Sequence, residues 1–180
     1  METKKMKTLD MVYIALFACL MAICAWISIR GQIPFTLQTM GVFLAVGLLG
    51  GKRGTVAVLV YILMGAVGLP VFSGFAGGLG KLLGMTGGYI VGFLVSALLM
   101  WAMEALFGSK KWVLPVSMVV GLIACYAFGT AWFMVVYTSS KGAITLGAVL
   151  GMCVIPYIIP DAAKIAVALL LTKALKRFVK

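Results

Sequence analysis

Histidine is missing from all 180 residues, and acidic side chains number only four. The first absence removes the commonest general base, the Ser-His-Asp triad and most zinc sites. Charge is scarce altogether, at 11% of residues against 64% hydrophobic. A soluble domain carries about 25% charged residues, so this chain cannot clothe a water-facing surface. The composition is that of an integral membrane protein. Cys19, Cys24, Cys125 and Cys153 show no CxxC spacing and lie in apolar runs, where a thiol behaves as a small hydrophobe. A nucleotide loop is missing too. A P-loop needs two glycines bracketing four residues, then Lys and a hydroxyl side chain, to cradle phosphate and hold magnesium. Here Gly80-Lys81 is followed by Leu82, with Phe75 where the first glycine belongs. The chain carries no ATPase of its own.

What charge there is has a pattern. A net +11 would suggest nucleic acid in a soluble protein. These basic residues cluster at the ends of apolar runs, which is the positive-inside signature of a membrane protein, and no nucleic-acid partner is expected.

The first apolar run, about 9–29, is long enough for a hydrocarbon core of ~30 Å. Its basic start and the Leu16-Phe17-Ala18-Cys19 stretch resemble a signal peptide or lipoprotein site. Further apolar segments follow, so it reads as a retained helix. Ala18 and Ala22 make a small-xxx-small step that suits close helix approach, within this chain or onto another protein. After a turn at Arg30 to Pro34, the second segment, 35–49, is short for a span. Its opening carries Thr36, Gln38 and Thr39, which either cap the helix near the headgroups or line a transport cavity. A basic turn at 50–54 leads to a third span at 55–69.

Between Gly74 and Gly88 stand seven glycines, interleaved with Phe, Leu and Tyr rather than polar residues. A flexible linker would be polar. This run is apolar enough to tuck into the membrane as a re-entrant lid between the third and fourth helices, with Lys81 its only charge. Spans at 87–107 and 112–137 follow. The second of these holds Tyr126, Thr130 and Trp132, which could line a cavity or simply pack. A shorter apolar piece at 143–155 leads to a proline-broken region and a last helix from about 160 to 175.

That region holds Ile159-Pro160-Asp161-Ala162-Ala163-Lys164. Pro156 and Pro160 are expected to stop one helix and start the next, placing Asp161 at the positive end of a helix dipole. Asp161 and Lys164, three apart, share a helix face. Ionisable groups at membrane depth are costly and face a cavity or a partner. The pair either neutralises itself internally or meets a ligand.

Six crossings put Lys4, Lys5, Lys7, Lys52, Arg53, Lys110, Lys111, Lys173, Lys176, Arg177 and Lys180 on one side. Arg30, Lys81 and Lys141 fall on the other, and Lys164 lies within the membrane. The expectation is one all-α, polytopic transmembrane domain over 1–180 with six helices and both termini cytoplasmic. The lid, the short second helix and the Asp161–Lys164 pair then converge on one outward-facing pocket.

Four ordered motifs are similar to those of a known family: Pro34-Phe35-Thr36-Leu37-Gln38-Thr39, Gly68-Leu69-Pro70-Val71-Phe72, Thr86-Gly87-Gly88-Tyr89 and Ile159-Pro160-Asp161-x-x-Lys164. Over nearly its full length the chain resembles the biotin-specific substrate-binding (S) component of energy-coupling-factor (ECF) vitamin transporters, the BioY family. The resemblance implies a bacterial or archaeal cell-membrane subunit that captures biotin from outside. It also implies a transmembrane coupling subunit and two cytoplasmic ATPases as partners, with Ala18 and Ala22 docking on the former. Substrate contacts are implied for Asp161, Lys164, Thr36, Gln38, Phe72, Gly77, Gly78 and Tyr89. Members of the family often carry asparagine where Ala76 stands, arginine where Ile90 stands and proline where Met85 stands. Lys81 is the available substitute partner for the biotin carboxylate. The competing readings are an S component for another small vitamin, a small membrane enzyme using Asp161 and Lys164 as acid and base, and a structural anchor. No nucleophile–base pair, metal cluster or cofactor motif supports the enzyme.

Overall fold

A computed structural model describes residues 7–29, 34–108 and 110–178. Lys4, Lys5, Lys180 and most of the Arg30 turn lie outside the described residues. Helix α1 spans Thr8–Trp26, and a short hairpin of β1 (Ser28–Ile29) and β2 (Phe35–Thr36) leads into α2 (Gln38–Leu49). Then come α3 (Gly51–Ala66), the one-turn α4 (Leu79–Leu83), α5 (Gly87–Phe107), α6 (Val113–Lys141), α7 (Leu146–Cys153) and α8 (Ile155–Leu175). Four helical stretches are long and apolar enough to cross a membrane: α1, α5, α6 and the α7–α8 run.

Helix α2 is the hub. At 12 residues it is roughly 18 Å long, too short to cross a bilayer by itself. It compensates by being sheathed, since every residue from Gly41 to Leu49 is buried. Its neighbours are α1, α3, α5 and α8. In lipid no hydrophobic drive separates helix from acyl chain, so helices are held by close packing at small residues. Gly41 lies against Met21 of α1, and Gly47 lies against Thr172 of α8. The longest pair, α5 and α6, runs antiparallel by the same device: Gly121 faces Ser96, Gly92 faces Cys125 and Gly129 faces the Tyr89 ring.

Three expectations are corrected. The basic turn at 50–54 is already helical from Gly51; the chain reverses at Gly50 alone, whose φ of 82° suits a residue without Cβ. The proline-broken region breaks at Val154 (φ −125°, ψ −57°), not at Pro160. Pro156 sits in the first turn of α8, where its missing donor costs nothing, and Pro160 lies inside the helix. Asp161 is consequently beyond the first turn, outside the short reach of the helix dipole. Finally, Ala18 (0% exposed) and Ala22 (5%) are covered by this chain's own helices. Their small-xxx-small step packs inside the molecule, and the exposed face of α1 runs through Leu16, Cys19 and Ile23.

The glycine-rich loop is tied down at both ends. Trp26 Nε1 donates to the Pro70 carbonyl at 2.8 Å and its ring stacks on Phe75. Trp132 Nε1 donates to the Gly84 carbonyl at 3.1 Å. In between, Phe72 is fully buried, edge-on to Tyr61 and tight against the bare Cα of Gly65. A Cβ at Gly65 would enter the Phe72 ring. Gly65→Ala is therefore expected to lower stability by about 1–3 kcal/mol, read as a fall in Tm in detergent. Adding Phe72→Leu should restore part of that loss, and an unchanged Tm in Gly65→Ala would show the loop is not anchored there.

Candidate ligand site

The polar opening of α2 is built by local sequence. Thr36, at the end of β2, accepts from the Gln38 amide at 3.3 Å and donates its hydroxyl to Gln38 Oε1 at 2.9 Å. Gln38 Nε2 reaches the Tyr61 hydroxyl at 2.5 Å, and that hydroxyl donates to the Val71 carbonyl at 3.0 Å. This chain of bonds fixes the start of α2 and links it to the loop's first turn. Each group is buried, and burial of an unpartnered polar group would be costly.

From α8, Asp161 and Lys164 enter the same region. They are 3% and 6% exposed, too buried for the pair to be a solvated surface bridge. Lys164 Nζ is 2.6 Å from Asp161 Oδ1. Thr39 Oγ1 donates to the same oxygen at 3.4 Å, and Tyr126 of α6 donates its hydroxyl to Oδ2. The ammonium also sits 4.0 Å from the centre of the Phe35 ring, an attractive cation–π placement. Phe35 in turn stacks on Tyr157. Charge on each partner is thus met by the other and by groups from β2, α2 and α6.

Asp161, Lys164 and Tyr126, with Thr36, Gln38 and Thr39, line a cavity of about 60 Å³. Thr36, Gln38, Tyr89, Asp161 and Lys164 are brought together there with Thr39 and Tyr126, for which the sequence left lining and packing both open, and with Ser73 and Thr86, which it did not single out for a site. Gly77, Gly78, Lys81 and Phe72 are not part of the lining. Phe72 is core, and Gly77 is pressed against the Leu69 carbonyl. The Gly78 amide donates to Gly65 O at 2.7 Å, and Lys81 is half-buried in α4. Tyr126 was visible in the sequence only as one aromatic among several in α6. Its hydroxyl and its proximity to a carboxylate 35 residues away become evident only in three dimensions.

Carboxylate capacity explains what the site can still do. An ionised carboxylate offers about four acceptor positions and an ammonium three donors. Asp161 uses three, on Lys164, Thr39 and Tyr126, and Lys164 uses one on Asp161. One acceptor position and two donors remain, side by side and walled by aromatic rings. That suits a small, largely apolar ligand carrying an N–H next to a carbonyl.

The chain is similar to known proteins in sequence and in fold. The BioY family model matches residues 1–180. A biotin transporter of Thermotoga maritima is 39% identical over 169 residues, covering 93% of this chain and 96% of that protein. A probable biotin transporter of Pyrococcus horikoshii is 36% identical, covering 95% and 98%. The crystal structure of the S-component for biotin from an ECF-type ABC transporter superposes with a TM-score of 0.82 at 24% identity, covering 96% and 95%.

Removing the Tyr126 hydroxyl deletes a hydrogen bond to a buried charge. Tyr126→Phe is expected to cost about 1.5–3 kcal/mol of stability, measured by chemical or thermal unfolding in detergent. Asp161→Asn, which leaves an ammonium buried and unpaired, should cost more, about 3–5 kcal/mol. Wild-type stability in both variants would mean the pair is solvated rather than buried.

Proposed function

The chain belongs to the BioY family, and on that premise we propose that it captures biotin at the Asp161–Lys164 cavity for import. Its relatives are transporters, not enzymes. The observation that carries the reading is the buried ion pair with spare donors and one spare acceptor in a cavity walled by aromatic rings. The ureido group of biotin presents two N–H donors beside one carbonyl. Asp161 accepts from an N–H and Lys164 donates to the carbonyl, both charge-assisted bonds. The thioether ring and aliphatic tail suit the apolar walls. At about 60 Å³ the cavity is smaller than the several hundred Å³ usual for ligand sites, so admission of biotin requires a wall to move outward.

In this reading the chain is one transmembrane domain of six crossings, with α2 and α3 completing the four long spans. The glycine-rich loop is the re-entrant outer lid, and both termini lie in the cytoplasm of a bacterial or archaeal cell. The support is the asymmetry of basic residues, eleven against three. The partners that the family resemblance implies are a transmembrane coupling subunit and two cytoplasmic ATPases, in keeping with a sequence that carries no nucleotide loop. Ala18 and Ala22 act in that docking by holding α1 close to its neighbours, and the surface offered to the coupling subunit is the exposed face of α1.

Asp161→Asn and Lys164→Ala are each expected to weaken biotin binding by roughly two to three decades, by equilibrium binding of labelled biotin to purified protein that remains folded. Wild-type affinity in both would overturn the site. Lys81 is the proposed partner of the biotin carboxylate, as the only charge on the lid. Lys81→Ala should weaken the free acid modestly and leave the methyl ester unaffected; equal losses would show that Lys81 acts through loop structure.

A further inference from the structure

A cavity of about 490 Å³, far roomier than the one around Asp161, lies elsewhere in the molecule. It opens at the other ends of α2, α5 and α8, beside the start of α6. Lys110, Lys111, Lys173 and Lys176 stand around it, facing a single carboxylate, Glu104. Glu104 is already engaged, accepting the Gly51 amide at the start of α3. Among the described residues the ion pairs are Arg53–Asp10 and Lys164–Asp161, so the four lysines have no carboxylate partner.

We infer that this cavity seats the phosphate of an anionic phospholipid headgroup. Two independent observations point to a ligand rather than to a solvated basic rim. Thr172, 1% exposed, lines the cavity, and its Oγ1 is buried with no hydrogen-bond partner. Buried hydroxyls are nearly always paired, and a phosphate oxygen supplies the missing partner once the side chains around it adjust. The walls are also largely apolar, with Val46, Met100, Val113 and Leu114 lining the same space as the lysines. A free anion would use the lysines and leave those walls idle, whereas a lipid fills both parts with headgroup and acyl chain. The depth is right as well, because the cavity lies where α5 and α8 end and α6 begins. Basic pockets between membrane helices at that level are suited to anionic headgroups. Lys173 also lies in the last turn of α8, where a cation complements the helix dipole. That accounts for one lysine and not for four around one cavity.

The test uses the full chain, purified in detergent and stripped of lipid, then titrated with phosphatidylglycerol, phosphatidylcholine or inorganic phosphate. Lipid retention is read by native mass spectrometry and stabilisation by Tm, with biotin binding measured in parallel. Phosphatidylglycerol should be retained roughly tenfold or more over phosphatidylcholine, given about 1 kcal/mol per basic residue near an anionic lipid. Replacing all four lysines by glutamine should erase that preference, and replacing them by arginine should keep it. Biotin affinity stays unchanged throughout, because these residues are remote from Asp161, so failure here leaves the biotin reading standing. Equal retention of the two lipids, or wild-type preference in the glutamine variant, overturns the proposal. So does inorganic phosphate reproducing the full stabilisation, which would assign the site to a soluble anion.

Discussion

A carboxylate and an ammonium buried among apolar helices are the constraint around which this molecule is arranged. Either Asp161 or Lys164 alone would be costly there, because an unpaired buried ion takes up a large share of a domain's net stability. Everything adjacent serves to satisfy them. Tyr126 reaches across from α6, Thr39 from the start of α2, and the Phe35 ring from β2 covers the ammonium. The short hairpin before α2 follows from the same need, since it delivers Phe35 and Thr36 to one side of the pair. A helix beginning two turns earlier would have pointed these side chains elsewhere.

The second constraint is backbone proximity. Helix α2 is too short to span and survives by being enclosed, and enclosure needs small residues where helices meet. Gly41, Gly47 and Gly54 serve α2 against α1, α8 and α3. One short helix inside a taller bundle leaves the Asp161–Lys164 cavity at its start. The 490 Å³ space at the far end is a corollary, because α2 stops before the helices around it do.

Much of this was legible in the sequence. The membrane class followed from scarce charge, and the Asp161–Lys164 pair from spacing. The expected convergence of the short second helix on that pair came from counting basic residues on either side of the membrane, and in the structure Thr36, Gln38 and Tyr89 share a cavity with Asp161 and Lys164. The errors have physical causes. Proline was read as a helix stop at 160, but Pro160 is tolerated inside α8 because the true break falls at Val154, just ahead of Pro156. Glycines in the loop were read as close approach to a ligand. Gly77 and Gly78 instead approach the end of α3, a distinction that sequence spacing does not encode. Periodicity alone could not tell which face of α1 looks inward, and Ala18 and Ala22 turned out to be on it. Tyr126 was legible as a residue that could line a cavity or pack, but its bond to Asp161 was not, since that partner is 35 residues away.

The central claim is that Lys164 donates to, and Asp161 accepts from, the ureido group of biotin. Difference infrared spectroscopy with biotin carrying carbon-13 at the ureido carbonyl reads that contact directly. The account predicts a lower ureido stretching frequency in the bound state than in water, and loss of that shift in any Lys164→Met protein that still binds at high ligand concentration. A bound-state frequency indifferent to Lys164→Met and to Asp161→Asn would contradict it.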